Sequence, residues 1–128
     1  MFELTVKAEF EAAHNINGYN GKCQRLHGHN WSVEALVEGY ALDELGMLVD
    51  FKVLKTELNK VLEELDHRYL NELPFFSKGE NKNPTAENLA RYIFEKLSAS
   101  DIFTNPAAKL KAIRVYESPR SCVTYTVN

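Results

Sequence analysis

Cysteine is scarce in this chain, with two among 128 residues. That is too few for a disulfide scaffold, so both thiols are expected to be free. No apolar run approaches the ~20 residues that span a bilayer. The N-terminal stretch Met1-Phe2-Glu3-Leu4-Thr5-Val6-Lys7 alternates instead of forming the apolar centre of a secretion signal. Positive charge is not in excess either: the formal net charge is −3. Nucleic acid and membrane surfaces are therefore not expected partners, although a local basic pocket remains compatible with a phosphorylated small molecule. Six glycines and four prolines are too few for a low-complexity chain. These absences leave one cytoplasmic globular domain spanning 1–128, with length enough for one core.

What is present is ordinary globular composition, 45% hydrophobic and 26% charged, arranged with clear periodicity. Residues 2–14 alternate, with Phe2, Leu4, Val6, Ala8, Phe10 and Ala12 against Glu3, Thr5, Lys7, Glu9 and Glu11. This is the pattern of a half-buried strand, and His14 ends it in phase with the apolar face. Asn15 to Gly28 is rich in Asn and Gly and reads as a loop. Asn30 to Gly39 reads as a second strand, with Trp31, Val33, Ala35 and Val37 on one face. Asp50 is an N-cap for an amphipathic helix carrying Phe51, Leu54, Leu58, Val61, Leu62 and Leu65. Ser77 to Pro84 reads as a loop. Thr85 caps a second helix with Ala86, Leu89, Ala90, Ile93 and Leu97 as its stripe. Strands are expected again around Leu110–Tyr116 and Val123–Val127, joined by a turn at Ser118-Pro119-Arg120-Ser121. The expected class is α+β: a four-stranded antiparallel sheet in ββααββ order with two helices on one face.

Chemistry-bearing residues concentrate in Cys23-Gln-Arg-Leu-His27-Gly-His29, with His14 just upstream. His27 and His29 point the same way if the chain is extended there, and His14 can meet them across a strand pair. Three neutral imidazoles suit zinc and leave a fourth position open for water or substrate, the catalytic type of site. Scattered core or surface histidines are the bland alternative. Cys23, beside Lys22 and Arg25, is a candidate reactive thiolate; a fourth metal ligand or an inert loop cysteine are the rival roles. Asp66-His67 places a carboxylate beside an imidazole, as acid–base work requires, yet a histidine near a helix C-terminus is also favoured by the dipole alone. Glu117 ends the third strand and can accept two N–H bonds from a guanidine-like heterocycle, or simply be solvated.

Together these segments resemble the 6-pyruvoyl-tetrahydropterin synthase family. The matching pieces are Phe10-Glu11-Ala12-Ala13-His14, Cys23 through Asn30, Val49-Asp50-Phe51, Leu65-Asp66-His67-Arg68-Tyr69-Leu70-Asn71, Asn83-Pro84-Thr85-Ala86-Glu87-Asn88-Leu89-Ala90 and Glu117-Ser118. The three-residue spacer between Cys23 and His27 is similar to that of the family's carboxy-forming, queuosine-pathway branch. The resemblance implies the tunnelling (T-) fold, one zinc per subunit held by His14, His27 and His29, and Cys23 as proton acceptor. It also implies Asp66 and His67 as a proton relay, with Glu117 anchoring the pterin ring and joining that relay. The implied assembly is a homo-hexamer, a dimer of trimers, with active sites between subunits. The implied activity is that of a carbon–carbon lyase, converting 7,8-dihydroneopterin triphosphate to a 6-carboxy-tetrahydropterin. Lys22, Arg25, Lys78, Lys82 and Arg120 are candidates to receive the triphosphate. The pyruvoyl-forming phosphorus–oxygen lyase, a dihydroneopterin aldolase and a non-catalytic zinc-stabilised binding module are the alternatives.

Overall fold

The computed structural model describes residues 1–77 and 82–127 of the chain. Its first two strands are long: β1, Phe2–His14, and β2, His27–Gly39, pair antiparallel along their whole length, from Phe2 opposite Gly39 to His14 opposite His27. The second strand therefore begins three residues earlier than expected. The Gly28 that signalled a turn lies inside the ladder, opposite Ala13. Strands β4, Lys109–Ser118, and β5, Ser121–Tyr125, follow antiparallel on the other side of β2.

The helices form where the caps and stripes predict. α1 spans Phe51–Glu63, with the Asp50 carboxylate accepting from the Lys52 N–H at 2.8 Å. The next helix, Pro74–Ser77, is a single short turn, α2, which the periodicity does not signal. α3 spans Ala86–Ser98, and the Thr85 hydroxyl accepts from the Asn88 N–H at 3.1 Å. Each cap satisfies an N–H that the first helical turn leaves without an internal partner. α1 packs on β1, and α3 on β4 and β5. Leu54, Leu58, Leu89, Ile93 and Leu97 thereby meet Phe10, Trp31, Val33 and Val115 in one buried core.

Among the described residues the sheet has five strands, not the expected four. The additional strand, β3, is Arg68–Tyr69, which runs parallel to β1 opposite Ala12 and Ala13. Two residues carry no alternation to read, so this strand is invisible to a period-2 search. The order across the sheet is β3-β1-β2-β4-β5. The α+β class stands, with two main helices covering one face. The opposite face carries the polar residues of β1 and β2, among them Lys7 and the buried Glu34, 3.5 Å apart. Both cysteines are free, and Cys122 is exposed near the start of β5. Lys78 and the rest of 78–81, half of the Ser77–Pro84 loop, lie outside the described residues.

Gly39 closes β2 where the chain passes under the 105–108 segment. A Cβ there would lie 2.1 Å from the Ala107 carbonyl oxygen and 2.6 Å from Leu48 Cδ1. The carbonyl belongs to backbone and cannot simply rotate away. Gly39→Ala is expected to cost about 1–3 kcal/mol as overpacking, read as a lowered urea midpoint; an unchanged midpoint would contradict this packing.

Candidate metal and acid–base site

The alternation that buries Val6, Ala8, Phe10 and Ala12 carries on to His14, which is 1% exposed. His27 stands directly across from it, and His29 stands across from Ala12. Side chains two apart on a strand, and directly opposite across a pair, share a face. All three imidazoles therefore converge at one end of the helix-covered face. Their candidate ligand nitrogens lie within 4.8 Å of one another. Trp31, fully buried, closes the site from the core side, with its ring centroid 5.0 Å from His14 and 5.2 Å from His29.

Backbone carbonyls orient two of the rings. His14 Nδ1 lies 2.7 Å from the Pro84 carbonyl oxygen, and His27 Nδ1 lies 2.6 Å from that of Arg25. A carbonyl only accepts, so each Nδ1 carries the proton and each Nε2 keeps its lone pair. Burial pushes the His14 and His29 imidazoles below the ordinary value of 6.5, while Glu117 opposes the shift at both. The Nε2 atoms of His14 and His29 are buried without a hydrogen-bond partner. A buried polar atom left in that state is costly. A metal ion accepting all three lone pairs resolves that cost, and an all-imidazole set suits a borderline ion such as zinc better than a hard one. The residues present thus fit a metal centre.

Glu117, near the end of β4, joins this cluster. Its carboxylate oxygens lie 3.5 Å from His29 Nε2 and 4.0 Å from His14 Nε2. Residue pattern alone gives it no tie to the histidines, and only the resemblance puts it in their site; the β2–β4 pairing delivers it to the imidazoles.

Cys23 sits on a single 3-10 turn, Lys22–Gln24, within the loop that leaves His14 and returns at His27. Its carbonyl accepts from the Ile16 N–H at 2.7 Å. Two asparagines far along the chain pin the start of this loop. Asn71 accepts from the Asn15 N–H at 3.0 Å and donates to its carbonyl at 2.9 Å. Asn83 does the same for Asn17, at 3.0 and 2.9 Å, and is itself held by Asn88 donating to its carbonyl at 2.8 Å. Each side-chain amide thereby mimics a strand partner. Pro84, Asn71 and Asn83 lie in the motifs singled out above, but nothing in their sequence pattern discloses these contacts.

Among the described residues no hydrogen bond or ion pair joins Asp66 or His67 to the imidazoles, although His67 and His29 line one open cavity. α1 ends at Glu63, and His67 turns the chain at φ 58, the one positive value at a non-glycine among the described residues. The pair then docks on Glu11. Asp66 Oδ1 accepts from the Glu11 N–H at 2.9 Å, and the His67 N–H donates to the Glu11 carbonyl at 2.6 Å. The His67 ring has Asp66 Oδ1 3.0 Å from Nδ1 and Glu11 Oε2 3.3 Å from Nε2. The Glu11 N–H bond, and then His67, hold the Asp66 carboxyl below its usual range. Glu11 and His14 are an odd number of residues apart on β1, so their side chains leave opposite faces of the sheet. Of the basic candidates for triphosphate, Lys22 and Arg25 flank Cys23, Lys82 lies over the Phe75 ring at 4.5 Å, and Arg120 occupies the β4–β5 turn.

Comparison with known proteins gives concordant results. A family model described as 6-pyruvoyl tetrahydropterin synthase matches residues 3–128. A 6-carboxy-5,6,7,8-tetrahydropterin synthase from Synechocystis sp. is 37% identical over 130 aligned residues, covering 98% of this chain and 93% of the relative. One of the same name from Rickettsia bellii is 36% identical, covering 96% and 99%. Among solved structures, Caenorhabditis elegans 6-pyruvoyl tetrahydropterin synthase is similar at a TM-score of 0.84 and 30% identity, covering 99% of this chain and 96% of that one.

The two depressed imidazoles make stability depend on pH. The unfolded chain takes up protons at His14 and His29 near pH 6.5, before the folded metal-free protein does. Their contribution is therefore present above that pH and is lost as pH falls below it. The urea midpoint of chelator-treated protein is expected to drop between pH 7.5 and 5.5, and His29→Gln to shallow that drop. An identical slope in the variant would contradict the assignment.

Proposed function

Because this chain belongs to the 6-pyruvoyl tetrahydropterin synthase family, we propose that it is a zinc-dependent 6-carboxy-5,6,7,8-tetrahydropterin synthase acting on 7,8-dihydroneopterin triphosphate. The carboxy-forming activity is supported by the name shared by relatives at 36–37% identity over nearly the whole chain. The observation that carries the chemistry is the group of three imidazoles with converging nitrogens, two of them buried and unpartnered.

The reaction converts the substrate and one water to the carboxylated tetrahydropterin, triphosphate and acetaldehyde. It is redox-neutral: the ring C=N is reduced at the expense of the side chain, whose carbon–carbon bond is then broken. No nicotinamide is required. His14, His27 and His29 would hold zinc, which when bound would supply Lewis acidity and so favour loss of a proton from a side-chain carbon. The Cys23 thiolate accepts the proton that leaves a side-chain carbon. His67 returns a proton on the other side of the reacting bond, with Asp66 holding the ring through Nδ1. Glu117 accepts from the 2-amino group and N3–H of the pterin ring. Its place beside His29 and His14 puts the ring next to the imidazoles.

The separation of His67 from the imidazoles, on opposite faces of one sheet, supports an active site completed by a second subunit. Two features favour assembly through the sheet. Most of β1 has a free edge, since β3 pairs only with Ala12 and Ala13, and β5 ends the sheet on the other side. A homo-hexamer, queuosine biosynthesis and a cytoplasmic setting belong to the same proposal. No helix among the described residues is long and apolar enough to cross a membrane.

A pyruvoyl-forming activity is the second reading, favoured by the 6-pyruvoyl name of the C. elegans structure. Mass spectrometry of the products separates the two. With zinc-loaded protein, the proposal expects acetaldehyde and the 6-carboxy product; 6-pyruvoyl-tetrahydropterin would replace it with the second reading. His27→Ala is expected to lose zinc and turnover together. Cys23→Ala should keep the zinc and lose turnover by about 10²-fold or more, the scale of general acid–base catalysis. Full turnover by metal-free His27→Ala would end both readings.

A further inference from the structure

Glu11 meets the Asp66–His67 pair at three points. Its N–H and carbonyl bond Asp66 Oδ1 and the His67 N–H, which extends the β1–β3 pairing by one step. The third point is its side chain, with Oε2 3.3 Å from His67 Nε2. The imidazole thus lies between two carboxylates, Asp66 at Nδ1 and Glu11 at Nε2.

Packing does not fix this ring. The His67 side chain is 73% exposed, and the residue sits in the left-handed region, where a residue with a Cβ is held only by its surroundings. A ring with one partner can still pivot about the axis through that contact. A second partner at the opposite nitrogen removes the pivot. Glu11 and His67 also line one open cavity of about 450 Å³, together with Ala12, Gly28, His29, Asn30 and Tyr69. Folding stability gives no reason for the carboxylate to be there, since ion pairs this exposed contribute little.

We propose that Glu11 is a positioning residue for the proton transfer: its carboxylate holds the Nε2 edge of the His67 ring and sets the ring's orientation toward the cavity they share. The proposal rests on the reading of His67 as acid–base partner. It assigns a function to a residue whose place on the strand, one of several alternating glutamates, marks it only as solvated.

Kinetics of the intact zinc-loaded assembly test it. Glu11→Ala is expected to lower kcat about tenfold, a fraction of the 10²–10⁴ that a positioned acid or base supplies. KM, zinc content and the urea midpoint stay unchanged. Glu11→Gln, whose amide oxygen still accepts from the ring, retains most of kcat. Added to His67→Ala, the Glu11→Ala change gives no further loss, because the ring it orients is gone. Wild-type kcat in Glu11→Ala overturns the proposal, as does a Glu11→Gln variant as slow as Glu11→Ala. A kcat loss accompanied by a lowered midpoint, or one equal in size with and without His67, overturns it too by showing a structural role. Full activity in His67→Ala alone removes the acid–base reading itself, whereas an inactive His67→Ala beside a fully active Glu11→Ala removes only the role of Glu11.

Discussion

The register of β1 against β2 is the constraint on which the rest depends. His14 opposite His27, with His29 opposite Ala12, puts three imidazoles on one face. A slip of one residue would send one strand's ligands to the other face. The same pairing sets Phe10 opposite Trp31, whose rings stack with centroids 6.0 Å apart, and these large core residues fix the register that the ligands need. The candidate metal site is thus an extension of the hydrophobic core. The apolar alternation of β1 runs down the strand, and at its end a histidine takes the place of the next aliphatic residue.

The same alternation divides the chemistry. Even-numbered positions of β1 deliver His14 to the helix-covered face, while Glu11 receives Asp66 and His67 from the other side. A single sheet holds both groups rigidly while sending the Glu11 and His14 side chains to opposite faces. That division is what motivates the proposed second subunit. The loop from His14 to His27 belongs to the metal side, pinned by Asn71 and Asn83 with paired amide bonds. Those clamps tie Cys23's loop to the same distant segment whose Pro84 carbonyl orients His14.

Much of this was legible in the residues. β1 runs over the span its alternation predicts, and both main helices start at the caps Asp50 and Thr85. The shared face of His14, His27 and His29 follows from strand phase. Other features left no local trace. His27-Gly28 looked like a turn because glycine is a turn residue, yet the long β1–β2 ladder overrides that preference. β3 is too short to show a period. The carbonyls of Pro84 and Arg25 act through backbone, which no side-chain pattern encodes. Residue type alone marks Asp66, His67 and Glu117 as candidates; only the family resemblance ties them to the histidines. The structure then separated the three, with Glu117 at the imidazoles and the other two across the sheet.

The most direct test of this division is complementation between two inactive variants. Cys23→Ala damages the half that carries the imidazoles and their loop; His67→Ala damages the half on the opposite face. Differently tagged copies of the two, expressed together and purified as mixed oligomers, contain some interfaces with one undamaged half from each chain. The turnover of 7,8-dihydroneopterin triphosphate by those mixed oligomers is the measurement. Recovery of activity well above either variant alone is the predicted result. Mixed oligomers that assemble and bind zinc normally but stay inactive would contradict a site shared between chains.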